Sequence, residues 1–112
     1  MTLFEKIAAR LVPAEILYED EHTFAFRDLH PAAPTHVLIV PRKPIPKLSE
    51  ATDDDALLLG RCLLTARLVA ARLGLDEGGY RVVINTGADA GQSVFHLHLH
   101  LLGGRMLDWP PG

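Results

Sequence analysis

With 112 residues, the chain is long enough for one compact domain with its own core and too short for two. Nearly half of it is apolar (48%), which excludes a disordered chain, and a net charge of −3 without a long run of one sign excludes binding nucleic acid or membrane surfaces by bulk charge. The single cysteine, Cys62, rules out an internal disulfide framework and a zinc ribbon. Residues 1–12 carry Glu5, Lys6 and Arg10, unlike a signal peptide, and no stretch approaches the roughly 20 apolar residues of a bilayer span. The expectation is a soluble, cytoplasmic protein, one domain over 1–112, with no nucleic-acid or membrane partner.

Phe4, Ile7, Ala8 and Leu11 recur at helical spacing and predict a short helix over 4–11, stopped near Pro13. Residues 16–19 and 23–27 read as strands joined by a polar turn, a hairpin. Residues 28–34 form a loop with two prolines. Residues 36–40 are an apolar, β-branched run closed by Pro41, which predicts an inner strand covered on both faces. The stretch 41–49 holds three prolines and reads as irregular. Thr52 and Asp55 fit a capping box, and from there the longest helix runs to about residue 73, with Gly74 as its C-cap. Leu57, Leu58, Leu64 and Leu68 are expected on its wide buried stripe. Residues 80–85 make a fourth strand, 86–93 a polar loop with glycines, and a histidine-bearing fifth strand follows. The order fits an α+β class: a five-stranded, mostly antiparallel sheet with one long and one short helix.

The fifth segment carries the chemistry. His96, His98 and His100 alternate with Leu97, Leu99 and Leu101, so half of the six histidines fall within five residues. At strand period two, three imidazoles share one face and the leucines turn to the core. One reading is zinc, since three-histidine catalytic sites exist and alternate positions lie about 7 Å apart. Metal-bound imidazoles want carboxylate or carbonyl partners, and the nearest carboxylates along the chain are Asp89 and Asp108. A second reading is covalent catalysis. Neutral imidazole is nucleophilic near pH 7, attack on phosphorus gives a phospho-imidazolium that is itself a good leaving group, and flanking imidazoles donate to phosphate oxygens. One of those imidazoles, or Ser93, protonates the leaving group, and no metal or other cofactor is required. The bland reading is a polar surface face. The loop 87–93 adds flexible backbone, an amide and a hydroxyl just upstream, which suits an anion but also suits an ordinary hairpin connection. Likewise Asp28 can start a turn, Asn85 can end a strand, and Phe26, Ile7 and Val12 can be plain core. Cys62 is read as a buried small apolar residue, and His22 and His30 as surface residues.

Gly91-Gln92-Ser93-Val94-Phe95 followed by His96-Leu97-His98-Leu99-His100-Leu101-Leu102 resembles the signature of the histidine triad (HIT) nucleotide-binding family, His-φ-His-φ-His-φ-φ. Pro34-Thr35-His36 and the ending Trp109-Pro110-Pro111-Gly112 are similar to its Hint branch. The resemblance implies a HIT-like fold that pairs into a homodimer with a ten-stranded sheet. It implies cleavage at the α-phosphate of a purine nucleotide, AMP-like, with His98 as nucleophile. By the same match His96, His100 and His36 support His98, and Ser93 lies near the leaving group. Asp28, with Leu29 beside it, matches the carboxylate holding ribose hydroxyls. Phe26, Phe4, Ile7 and Val12 match the base pocket, and Asn85, Gly91 and Gln92 match polar nucleotide contacts. Phe95 stands where relatives often carry tyrosine, and the segment 42–44 lacks a histidine common there. The leading expectation is a purine nucleoside phosphoramidase acting on AMP-amides or acyl-adenylates. The alternatives are a dinucleoside polyphosphate hydrolase of the same family and a nucleotide-binding interaction module with vestigial catalysis.

Overall fold

A computed structural model describes residues 1–112. Helix α1 spans Leu3–Ala8. Thr2 caps it reciprocally: its hydroxyl accepts the Glu5 N–H at 3.1 Å, and the Glu5 carboxylate accepts the Thr2 N–H at 2.9 Å. The helix ends three residues before the apolar period does. Arg10 takes φ +63° there, and that left-handed residue turns the chain before Pro13 can clash with a further helical turn.

The strands are β1 (Ile16–Glu19), β2 (Thr23–Arg27), β3 (Thr35–Pro41), β4 (Tyr80–Val83) and β5 (Leu99–Gly103). They form one sheet in the order β1-β2-β3-β5-β4, with every pairing antiparallel. The hairpin turn is built on Asp20, whose carboxylate accepts the N–H groups of His22 and Thr23 and the Tyr18 hydroxyl. Strand β3 lies at the centre, and its pleat serves two cores. Val37 and Ile39 join Cys62, Ala66, Val69, Leu97, Leu99 and Leu101 on the face covered by helix α2 (Ala56–Arg72). Leu38 and Val40 join Phe4, Ile7, Phe24 and Phe26 under α1. A strand so buried on both faces needs the unbroken apolar run seen in the sequence.

The capping box at the start of α2 forms as expected. The Asp55 side chain accepts Thr52 N–H at 2.9 Å and the Lys43 ammonium at 2.6 Å, and that lysine holds its carboxyl below the usual range. The buried stripe of α2 is a correction. Its buried residues are Cys62, Thr65, Ala66, Val69 and Ala70, whereas Leu57 and Leu64 are 69% and 52% exposed. Small side chains let the helix lie close on the sheet, which turns Leu57 and Leu64 outward, while Leu58 packs half-buried against the core as expected and Leu68 is half-buried. Cys62 sits at the bottom of that contact, and burial pushes its thiol up to about 11. No helix is long and apolar enough to cross a membrane.

The histidine strand is a second correction. Strand β5 begins at Leu99, so His96 and His98 precede it. The Leu97 N–H donates to the Ile45 carbonyl at 2.7 Å instead of joining a ladder, and His98 Nδ1 bonds the His96 carbonyl at 2.7 Å. The leucines still face the core. On the opposite side Phe4 meets both His96 and His98, and the His98 and His100 rings lie 5.0 Å apart.

Candidate active site

An apolar cavity of about 340 Å³ opens between α1 and the sheet. Phe4, Ile7, Val12, Phe26 and Leu38 wall it, while Asp28, Ser93, His98 and His100 gather at its polar end. A small apolar pocket with a few convergent polar groups is the usual form of a ligand site. A larger cavity of about 630 Å³, lined by Gly74, Gly79, Tyr80, Arg81 and Arg105 among others, contains neither imidazole nor carboxylate.

The hydrogen bonds dictate where each imidazole keeps its proton. A carbonyl only accepts, so His98 Nδ1 carries hydrogen toward the His96 oxygen and leaves Nε2 bare. A backbone N–H only donates, so Ala32 N–H, 3.0 Å from His36 Nδ1, makes that nitrogen an acceptor. The His36 proton then sits on Nε2 and is donated to His100 Nδ1 at 2.9 Å. His100 in turn keeps its proton on Nε2. Burial lowers the pKa of His98 and pushes that of His100 down to about 4, helped by the neighbouring His98 and His36. Both rings are therefore neutral near pH 7. Their centroids are 5.0 Å apart, and Phe4 meets His98 edge-on at 4.9 Å. The cavity thus meets one bare imidazole nitrogen and one imidazole N–H side by side.

His96 has a different place. It is wholly buried; its Nε2–H donates to the Pro41 carbonyl at 2.7 Å and its Nδ1 accepts the Thr2 hydroxyl at 3.0 Å. Neither nitrogen is left for a ligand, so this ring ties α1 to the end of β3 and steadies the carbonyl that orients His98. His36 stands behind His100, outside the cavity wall. Gln92, also buried, spends its amide on Gly87 N–H and on the Pro46 and Val94 carbonyls, which shapes the loop that delivers Ser93. Gly91 takes φ +84° at the end of a 3-10 turn (Ala88–Ala90), a conformation other residues adopt only under strain. Asn85 lies in the loop after β4 and, like Gly91 and Gln92, does not line the cavity. Leu29 and His30 form its rim; His30 is exposed, as expected, and lies at the cavity mouth.

Sequence reasoning did not single out Thr2, whose hydroxyl bonds His96, or Ala32, whose N–H fixes the His36 proton. Thr2-x-x-Glu5 is a readable capping box. Ala32 carries no signal, since it acts through its backbone. Pro13, Ala14 and Val94 also line the cavity.

The residues able to hold a metal are Asp28, His36 and His100, whose ligand atoms lie within 4.8 Å of one another. The carboxylate nearest the imidazoles is therefore Asp28, 3.5 Å from His36 Nε2, and not the exposed Asp89 or Asp108. An ion there would have to replace the His36–His100 hydrogen bond. Asp28 Oδ1 already accepts the His30 N–H at 2.8 Å.

The buried neutral imidazoles make stability depend on pH. Their folded pKa values lie below the ordinary 6.5, so the unfolded chain takes up protons first as pH falls. Their contribution is intact above about pH 6.5 and is lost progressively toward about pH 4. The urea midpoint is expected to decline already between about pH 6.5 and 5, above the carboxylate range. A flat midpoint over that interval would refute the burial argument.

Residues 9–107 match the HIT domain. An uncharacterised HIT-like protein of Synechocystis sp. is 57% identical over 111 residues, 99% of this chain and 96% of that one. A HIT family hydrolase from Legionella pneumophila, a crystal structure, superposes with a TM-score of 0.97 at 49% identity over 100% of both chains. A histidine triad nucleotide-binding protein from Candida albicans gives 0.83 at 34% identity, over 98% of this chain and 83% of its own. Agreement of this extent in sequence and in backbone, over the segments that build the imidazole site, makes the chain a member of the HIT family.

Proposed function

We propose that the protein is a hydrolase that splits the P–N or acyl-phosphate bond of a purine nucleoside 5′-phosphoramidate or acyl-adenylate. The observation that carries this reading is the bare Nε2 of neutral His98 beside the Nε2–H of His100, at the polar end of an apolar cavity. The likeness to a hydrolase from Legionella and to a nucleotide-binding protein from Candida supports it.

In the first step His98 Nε2 attacks the α-phosphorus. The P–N bond breaks, and the leaving nitrogen takes a proton from Ser93, which is exposed at the cavity mouth and recovers it from solvent. His100 donates its Nε2–H to a phosphoryl oxygen as charge grows there. His98 Nδ1–H stays on the His96 carbonyl and spreads the cationic charge of the adduct. Water then attacks phosphorus, the P–Nε2 bond breaks, and AMP leaves while the proton of water passes to solvent. The aromatic and aliphatic wall receives the base, and Asp28 faces the ribose hydroxyls. His36 and His96 act behind the reacting pair, and Asn85, Gly91 and Gln92 shape the loops around it.

Mass spectrometry of protein quenched during turnover of an AMP-amide tests this directly. An adenylyl adduct on His98 is expected, and turnover is expected to be unchanged by a chelator. Chelator inhibition reversed by zinc would move the chemistry to a metal at Asp28, His36 and His100. Faster cleavage of a diadenosine polyphosphate would favour the dinucleotide reading, and tight AMP binding without turnover the interaction module.

We further propose that the active form is a homodimer. The outward row of Leu57 and Leu64 on α2 lies unburied, and β4 is a sheet edge with one partner, β5. A second copy across a twofold axis covers the leucines and continues the sheet to ten strands. Joint replacement Leu57→Glu and Leu64→Glu is expected to give a monomer in sedimentation; an unchanged dimer would place the interface elsewhere.

A further inference from the structure

Arg105 lies two residues past the end of β5 and crosses to a loop remote from it in sequence. Its Nη2 donates to the Ala32 carbonyl at 3.0 Å, and its Nη1 donates to the Met106 carbonyl at 2.9 Å. No backbone donor reaches the Ala32 carbonyl. Ala32 is the residue whose N–H makes His36 Nδ1 an acceptor. Its carbonyl side is thus held by the guanidinium while its amide side sets an imidazole proton. The crossing is tight. Gly104 has φ +93°, and a Cβ on it would stand 2.9 Å from Pro34 Cβ, so the chain after β5 lies against the loop that carries Ala32.

We infer that Arg105 is a positioning residue for the phosphoryl-transfer site: by clamping Ala32 it holds the His36–His100 pair in the tautomer that presents His100 Nε2–H to the phosphoryl oxygen. The direction follows from the hydrogen bonds. Without the Ala32 N–H, His36 Nδ1 can also carry the proton, while Asp28 Oδ2, 3.5 Å from Nε2, still favours the Nε2–H form, so the two tautomers mix; in the switched form Nε2 is an acceptor. His100 must then donate through Nδ1, and its lone pair on Nε2 faces the phosphoryl oxygen and repels it. Asp28 is anchored separately, because its own N–H donates to the His36 carbonyl at 3.0 Å. Loss of the clamp therefore acts on the chemical step rather than on nucleotide binding. The kinetic half of this inference rests on the function proposed above; the tautomer half does not.

The test compares wild type, Arg105→Ala and Arg105→Lys. Nitrogen-15 NMR of the imidazoles in substrate-free protein reads the tautomers of His36 and His100, and steady-state kinetics on an AMP-amide read kcat and KM. In wild type both rings are expected to carry the proton on Nε2. In Arg105→Ala a mixture of tautomers is expected, with kcat down by about tenfold, less than the hundredfold or more for outright loss of an oxyanion donor, and KM unchanged. Arg105→Lys, which keeps one donor, is expected to restore both. Tautomers identical to wild type in Arg105→Ala overturn the inference, as does a tautomer shift with kcat untouched. If wild-type protein does not turn over the AMP-amide, the reaction assignment falls, and the NMR comparison alone decides whether Arg105 sets the ring protons.

Discussion

Replacing His98 with alanine is expected to lower turnover of an AMP-amide by at least about a thousandfold, the scale on which a covalent nucleophile is lost. The ring meets Phe4 and the His96 carbonyl but anchors no secondary-structure pairing, so the variant is expected to fold and to bind AMP. Its cavity only gains room. Equilibrium binding with stopped catalysis would be the signature, measured by calorimetry beside a rate assay. Substantial residual turnover would remove His98 from the centre of the reaction. Acidification acts on the same atom. The Nε2 lone pair is available while His98 is neutral, and burial places its protonation below the ordinary histidine range. The rate is thus expected to hold from neutral pH down through about 6.5 and to fall only in more acidic buffer.

The second large effect concerns folding. Leu99 opens β5, pairs with Ile39 and is 1% exposed in the core under α2. Leu99→Ala is expected to cost about 2–5 kcal/mol through lost burial and the cavity left behind. Against a typical total of about 5–15 kcal/mol, that is a large fraction of the stability. Thermal unfolding should show a fall of at least about 10 °C. At low temperature, where the variant stays folded, kcat per folded molecule should remain close to wild type. A shift of a degree or two would show that β5 is not fastened as its burial indicates.

These two residues, one position apart, also show what the sequence could reveal. Alternation told which side of the chain faces the core, and Leu97, Leu99 and Leu101 are buried accordingly. It could not tell that pairing starts only at Leu99, because that depends on the Ile45 carbonyl, from a proline-bounded stretch some fifty residues away, capturing the Leu97 N–H. The family pattern named His96, His98 and His100 together, yet their environments divide them: one wholly enclosed between Thr2 and Pro41, two open to the cavity. Gln92 is a similar case, an amide that suits a ligand by type but is consumed by its own loop. The helix α2 was legible in extent and capping but not in orientation. Apolar residues occupy most of its surface, and the choice between the small-residue face and the leucine face is made by how closely it must approach the sheet.

The lone thiol has a practical bearing. Cys62 is sealed between helix and sheet and ionises only near 11, so alkylating agents and peroxide find no thiolate to attack. The reaction proposed above uses no thiol, so turnover is expected to survive thiol-alkylating reagents; its loss on such treatment would place Cys62 in the chemistry.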